Sequence, residues 1–438
     1  MELLGSLYET YERILNEIKK PNRMLAQRVF QCLVVATRAL RVAELGEALA
    51  VNVDDAEGIP RLDSDWRWED QEDQEQALLT ACSSLISIVE AGQSDSEAET
   101  DDGNSHIEAG GSRVVQFSHS SVKEFLTSSR LATASGEVSR YHIDLEPAHT
   151  ILAQSCLGVL LQIESDVEGN TYEDHPLAGY AAEHWTTHAQ FREVSSRLLK
   201  VMEYLFDLNK PHFGVWLTLY DIDTKPDNDA IFYNFSPPDS SPAVPLYYAA
   251  LCGFHSLVER LIIKNPQDVN ADGGYYVRPL VAALAGEHFQ TADLLHRNGA
   301  DLHVRAYSGR NPLHAAAFSG NFEVVRILIE YNPADINALD EDGWTPLHLT
   351  LEGRHFNGGS ALRFMLEHGA DINVRDQVGR TPLHWASSYG ALEVVRLLVE
   401  HGADVEAKGN DGMTALQEAA QRKHDKVVEI LRVHVTEY

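Results

Sequence analysis

NPLHAAAFSGNFEVVRILIEYNPADIN (311–337) and TPLHWASSYGALEVVRLLVEHGADVEA (381–407) follow one plan. Each has a Pro-Leu-His opening, a short segment of small residues, a glycine, and a second segment whose apolar residues recur at helical spacing. The opening tetrapeptide returns as VPLY (244–247), RPLV (278–281), NPLH (311–314), TPLH (345–348), TPLH (381–384) and TALQ (414–417). Its second position falls at Pro245, Pro279, Pro312, Pro346, Pro382 and Ala415, which are 34, 33, 34, 36 and 33 residues apart. Proline in the first turn of a helix loses no needed donor, so its recurrence in five of the six tetrapeptides marks helix starts. Gly299, Gly369 and Gly402 follow the second apolar segments, where a left-handed backbone suits glycine and ends a helix. The pattern predicts six stacked helix hairpins over residues 243–435, a C-terminal solenoid in a mainly α chain.

Tetrapeptide, period and hairpin plan together resemble the ankyrin repeat, whose period is about 33 residues. The first two units depart from the motif and the fourth carries extra residues around 354–360. The last, TALQEAAQRKHDKVVEILR, places charge where the inner units are apolar, as a cap facing water requires. The resemblance implies a protein partner on the concave face formed by hairpin tips and first helices. Tyr307, Arg310, Trp344, Arg380 and Met413 occupy the variable tip positions, and Phe318, Trp385 and Tyr389 lie on first helices. Aromatic and arginine side chains dominate binding hot spots, so these eight are the candidate partner-binding residues, with packing between units as their alternative role. For His314, His348 and His384 the resemblance implies hydrogen bonding between repeats rather than metal binding. His184 and His188 form an HxxxH without the glutamate of a zincin, and no metal ligand set is expected.

Upstream, GSLYETYERILNEIKK spaces Leu7, Tyr11, Ile14, Leu15 and Ile18 as one helix face, stopped by Pro21. A second helix is expected over residues 23–40, a third in RVAELGEALAV, and a fourth around 74–83. The strand-like LISIVE and RVVQF then flank an acidic Gly/Ser-rich insert, 91–112, giving a winged-helix-like domain over 1–135. The insert is read either as a solvated surface loop or as a phosphorylatable partner-binding one, with Ser94 and Ser96 beside acidic residues. Apolar residues at helical spacing through 136–235 predict a helical connector, and the turn-rich SPPDSSPAV (236–244) marks the start of the repeats.

LYETYERILNEI, LRVAELGEALAV and VVQFSHSSVKEFLTSSRL resemble the winged helix that follows the nucleotide-binding module in fungal NACHT-ankyrin proteins, which are NLR-like signalling ATPases. PLAGYAAEHWTTHAQF (176–191) is similar to their helical stretch before the repeats. The resemblance implies that His119, within Phe117, His119, Ser121, Glu124, Phe125 and Leu126, reaches the β-phosphate of ADP in the inactive state. The alternative is that His119 satisfies backbone groups at a strand-to-helix junction. A NACHT ATPase module is the partner that this likeness implies.

Composition narrows the function. Of 438 residues, 66 are acidic and 35 basic, for a formal charge of −31 that repels phosphate backbones and anionic lipid. Residues 54–109 alone hold 17 acidic residues against Arg61 and Arg67. No apolar stretch approaches the ~20 residues of a membrane span, and a soluble, cytoplasmic protein is expected. Cys32, Cys82, Cys156 and Cys252 are too few and too scattered for a disulfide framework, so buried thiols are expected. Neither GxxxxGK[ST] nor GxSxG occurs, so no nucleotide-hydrolysing or serine-hydrolase centre is anticipated and no cofactor is expected. The leading reading is a non-enzymatic interaction scaffold. A nucleotide-responsive switch or enzyme with an unrecognised site, and a winged-helix DNA binder, stand as alternatives.

Overall fold

A computed structural model describes residues 2–53, 58–63, 71–91, 113–163, 171–223, 243–274, 276–303, 305, 309–352 and 359–435. The chain divides into two compact units, Met1–Ile222 and Asp223–Tyr438. The segments expected as winged helix and connector thus belong to one unit.

In the first unit, α1 (Glu2–Glu17) buries Tyr11 and Leu15, residues of the expected face. α2 spans Arg23–Val35 and stops five residues short of the expected end. Ala36 leaves helical geometry, and Leu40–Arg41 become strand β1 instead. The backbone of these two residues gains ladder partners across the sheet, which outweighs continuing the helix. α3 (Val42–Ala50) follows, then the short strands β2 (Val51–Asn52) and β3 (Arg61–Leu62), and α4 (Gln71–Cys82). β4 (Ile86–Glu90) and β5 (Arg113–Phe117) pair antiparallel with Ile88 opposite Val115, and β5 is central in the order β1-β5-β4. The expected insert lies, apart from residue 91, outside the described residues.

The rest of this unit is helical: α5 (Ser120–Leu126), α6 (Ser129–Ala132), α7 (Leu145–Leu160), α8 (Thr171–Asp174), α9 (Ala178–Ala189), α10 (Val194–Arg197), α11 (Leu199–Leu205) and α12 (His212–Leu219). Its core includes Trp185 edge-on to Trp216 at 5.3 Å, with the Trp216 indole donating to the Ala182 carbonyl at 3.0 Å. The HxxxH pair divides. His188 is fully buried between His149 (Nδ1 to Nδ1, 2.9 Å) and the Tyr180 hydroxyl (2.9 Å), and burial pushes its pKa down to about 3. His184 instead lies edge-on to the Tyr180 ring. Among the described residues no three His, Cys, Asp or Glu side chains converge as a metal site. All four cysteines are buried free thiols, with Cys32 raised to about 11 by burial.

The second unit consists of six helix pairs: Pro245–Leu251 with His255–Lys264, Pro279–Ala285 with Phe289–Arg297, Pro312–Ser319 with Phe322–Tyr331, Pro346–Glu352 with Gly359–Glu367, Pro382–Tyr389 with Leu392–Glu400, and Ala415–Gln421 with Asp425–Val435. Every first helix begins at the second position of its tetrapeptide. Gly299, Gly369 and Gly402 adopt φ of 86°, 96° and 88° after the second helices. In the last pair Val427, Val428 and Leu431 are buried while Lys426, Glu429 and Arg432 are exposed, one apolar face and one wet one. No helix among the described residues is long and apolar enough to cross a membrane.

Candidate protein-binding face

The tips before the fourth and fifth first helices are each built around a carboxylate. Asp340 Oδ1 accepts the N–H groups of Asp342 (3.0 Å) and Trp344 (2.8 Å), and Asp376 Oδ1 accepts those of Val378 (3.0 Å) and Arg380 (2.8 Å). Gly343 and Gly379, with φ of 75° and 77°, make the reversal that closes each turn. Neighbouring tips are joined by main chain: Gln377 N donates to Asp342 O at 3.2 Å, and Asn410 N to Val378 O at 3.0 Å.

Below the tips, the tetrapeptide histidines fix the helix starts and link one unit to the next. His384 Nδ1 meets Thr381 N and Oγ1, and its Nε2 lies 3.1 Å from the Met413 carbonyl of the following unit. His314 repeats this with Asn311 and the Trp344 carbonyl, also at 3.1 Å. His348 is held by Thr345, while its Nε2 falls short of a formed hydrogen bond. Burial lowers both His314 and His348 to about 4. A neutral ring with one donating and one accepting nitrogen is what a link between two backbone groups needs.

This frame brings four of the eight predicted residues together. The Trp344 and Trp385 rings lie 5.0 Å apart, Tyr389 stacks 5.8 Å beyond Trp385, and the Arg380 guanidinium sits 5.1 Å over the Trp385 ring. The Trp385 indole donates to Asp376 Oδ2 at 2.8 Å. Trp344 and Trp385 remain half-buried, and Tyr389 is 43% exposed. Phe318 is half-buried on its first helix, Met413 serves through its carbonyl, and Tyr307 lies outside the described residues.

The two candidate arginines are also engaged within the chain. Arg310 Nε donates to Asp340 Oδ2 at 3.1 Å, and Arg380 Nε lies 2.8 Å from Glu418 Oε1, whose side chain is 4% exposed. Burial raises the Glu418 pKa while Arg380 opposes it. Both guanidiniums therefore staple one unit to the next, and that of Arg380 also borders the aromatic run. Sequence reasoning passed over Asp340, Asp376 and Glu418; the spacing Asp-x-x-Gly at the first two was the available signal.

His119, the other candidate, caps α5: its Nδ1 accepts Ser121 N–H at 3.2 Å and meets Ser121 Oγ at 2.7 Å, and Tyr11 O–H lies 2.8 Å from that oxygen. Accepting at Nδ1 assigns the proton of the neutral ring to Nε2. Among the described residues Nε2 makes no hydrogen bond, and the side chain is exposed.

A stack of helix hairpins whose tips and first helices display half-exposed aromatics over a rigid polar frame defines a repeat scaffold for protein–protein interaction. The family model for ankyrin repeats matches residues 280–376 and 355–436. The chain is 33% identical over 189 residues, 43% of its length and 70% of the other's, to the probable 26S proteasome regulatory subunit p28 of Saccharomyces cerevisiae. The chain belongs to the ankyrin-repeat family. It is 31% identical over 310 residues to the azaphilone pigments biosynthesis cluster protein L of Monascus ruber, covering 68% of this chain and 60% of that protein. The share of this chain is larger than the whole repeat unit, so the likeness enters the first unit. A shorter match, 46% identical over 55 residues (12% of this chain, 11% of that one), is to the NF-kappa-B inhibitor cactus of Drosophila melanogaster.

Proposed function

We propose that this chain is the ankyrin-repeat sensing and binding arm of a NACHT-type switch, without catalytic activity of its own, and that its partner docks on the face around Trp344, Arg380, Trp385 and Tyr389. The observation that carries the docking face is the aromatic run itself: three rings in successive contact, half-buried or exposed, on a frame already hydrogen-bonded within the chain. Pre-ordered aromatics lose little entropy on binding, which favours their use as anchors. Proximity labelling in the native cell tests it. Partners captured by the wild type should be lost with Trp344→Ala/Trp385→Ala/Tyr389→Ala, provided that the variant keeps the wild-type circular dichroism. An unchanged set of labelled proteins would remove the face from the reading.

The winged-helix part rests on element order. Helix α2, strand β1, helices α3 and α4, then the β4–β5 hairpin closing on β1 is the layout of a winged helix. His119, with its exposed Nε2 donor, is chemically suited to a phosphate oxygen of a nucleotide held by a separate NACHT module. On co-expression with such a module, His119→Ala should speed release of its bound ADP. Equal release rates would take His119 out of the switch.

The DNA-binding alternative is disfavoured by α4, QEDQEQALLTAC. It stands where a helix-turn-helix places its recognition helix, and it carries Glu72, Asp73 and Glu75 with no lysine or arginine. A salt-dependent shift of duplex DNA at micromolar protein would reinstate that reading. Phosphate release from ATP above a boiled control would reinstate the enzyme. The printed name of the Monascus ruber relative connects that protein with pigment biosynthesis; for this chain an accessory, partner-binding role fits better than a catalytic one.

A further inference from the structure

We propose that the occupant of the aromatic face is a polypeptide segment carrying an apolar anchor beside lysine or arginine side chains, an inference that rests on the reading of this face as a docking surface. The reason is which charges the chain has left unspent. Arg305 donates to the carbonyls of Gly309 (3.0 Å) and Leu339 (3.2 Å), and Arg375 donates to that of Lys408. Arg310 is paired with Asp340, and Arg380 with Glu418 and, at 3.7 Å, with Asp411. All four tip arginines thus already serve groups of their own chain. The exposed carboxylates of Glu341 and Asp342 make no ion pair among the described residues.

Asp342 and Trp344 donate their N–H groups to the same oxygen, Asp340 Oδ1, so the acid pair shares one turn with the first indole. Apolar side chains on adjacent tips extend the surface, with Leu339 50% and Val378 51% exposed. Lys408, exposed and without a described side-chain partner, belongs to the sixth unit. The fourth-unit end of the face, which carries Trp344, presents exposed Glu341 and Asp342. A segment laid along these tips meets carboxylates with unfilled acceptors first and the indoles next. A cation there gains an exposed ion pair, and an anion meets like charge.

The test uses the full chain and three fluorescein-labelled synthetic peptides. They share a Leu and Tyr anchor and differ only in flanking Lys/Arg, Glu or Ser. By anisotropy at 50 mM NaCl the basic peptide should bind at least about five-fold tighter than its Glu twin, the size expected of two exposed pairs. Salt at 500 mM should erase most of that preference, because the screening length then falls to a few ångströms. Glu341→Gln/Asp342→Asn, both at exposed positions, should bring the preference to within about two-fold. Equal or tighter binding of the Glu twin overturns the charge assignment and leaves the aromatic face standing if Trp385→Ala still weakens all three peptides. Binding by none of them, or binding indifferent to Trp385→Ala, overturns both.

Discussion

Arg380 and Glu418 show how a residue chosen for binding can be held for structure. Removing the guanidinium strands a buried carboxylate, and breaking such a pair costs more than the pair contributes. Arg380→Ala should lower stability by about 2 kcal/mol in urea unfolding, with part recovered by adding Glu418→Gln. Equal losses in the single and double variants would show that the two side chains act independently. His314 and His348 make a second case. Their folded pKa of about 4 lies below the ordinary value near 6.5, so between these pH values the unfolded chain binds protons that the folded one refuses. Stability is therefore full above pH 6.5 and is lost as pH falls toward 4, by about 3 kcal/mol per histidine at the lower limit. The sixth unit suggests the control. There Gln417 caps Thr414 as the histidines cap their own helices, with its Oε1 accepting Thr414 N–H at 2.9 Å. His314→Gln/His348→Gln should thus keep the helix starts and flatten the dependence of the urea midpoint on pH between 7 and 5. Parallel wild-type and variant curves would refute the assignment.

The hairpin as an element depends on glycines for two separable reasons. Gly402 has φ of 88° with open space around an added Cβ, so Gly402→Ala carries only backbone strain, about 1 kcal/mol. Gly390, at 70°, would place that Cβ 2.6 Å from His424 Nδ1, and the ring is held by Nε2 at 3.0 Å from the Ser388 carbonyl. Gly390→Ala should therefore cost at least about 1 kcal/mol more than Gly402→Ala by chemical denaturation. A reversed order would mean that the ring moves aside freely. Element ends were legible where a residue type dictates them, as proline does at the first helices and glycine after the second. The end of α2 was not. Residues 23–40 read as one helix because nothing local distinguishes Leu40 and Arg41, and they become strand only because Val114 and Val115 offer backbone partners from a distant segment.

At the scale of the molecule, the repeat unit gains its stability between neighbours, so the last pair matters beyond its own length. A chain ending after residue 403 loses Val427, Val428 and Leu431 from the stack and uncovers apolar surface of the fifth pair. Its urea midpoint should fall and its binding of a hydrophobic dye should rise; unchanged values would mean that the sixth pair adds no interface. The first unit behaves differently, since its helices and three-stranded sheet form one compact body that runs through the connector to Ile222. The winged-helix and connector segments are read from helical spacing, strand pattern and resemblance, and none of these reports which segments share a core.

The repeat was fixed by residue chemistry alone. A period near 33, with proline at five of the six first helices and glycine after three of the second, leaves few other folds, because both residues act through their own backbone. The aromatic members of the candidate face were legible for a related reason, since side-chain type and register place them on tips and first helices. What the arginines do there was decided by tertiary structure. Arg310 and Arg380 find Asp340 and Glu418, 30 and 38 residues away in sequence, and the energy of an ion pair depends on distance and burial, neither of which a single sequence displays. His119 is the opposite case: its cap on Ser121 N–H, two residues away, is local and is one of the two roles that the sequence allowed.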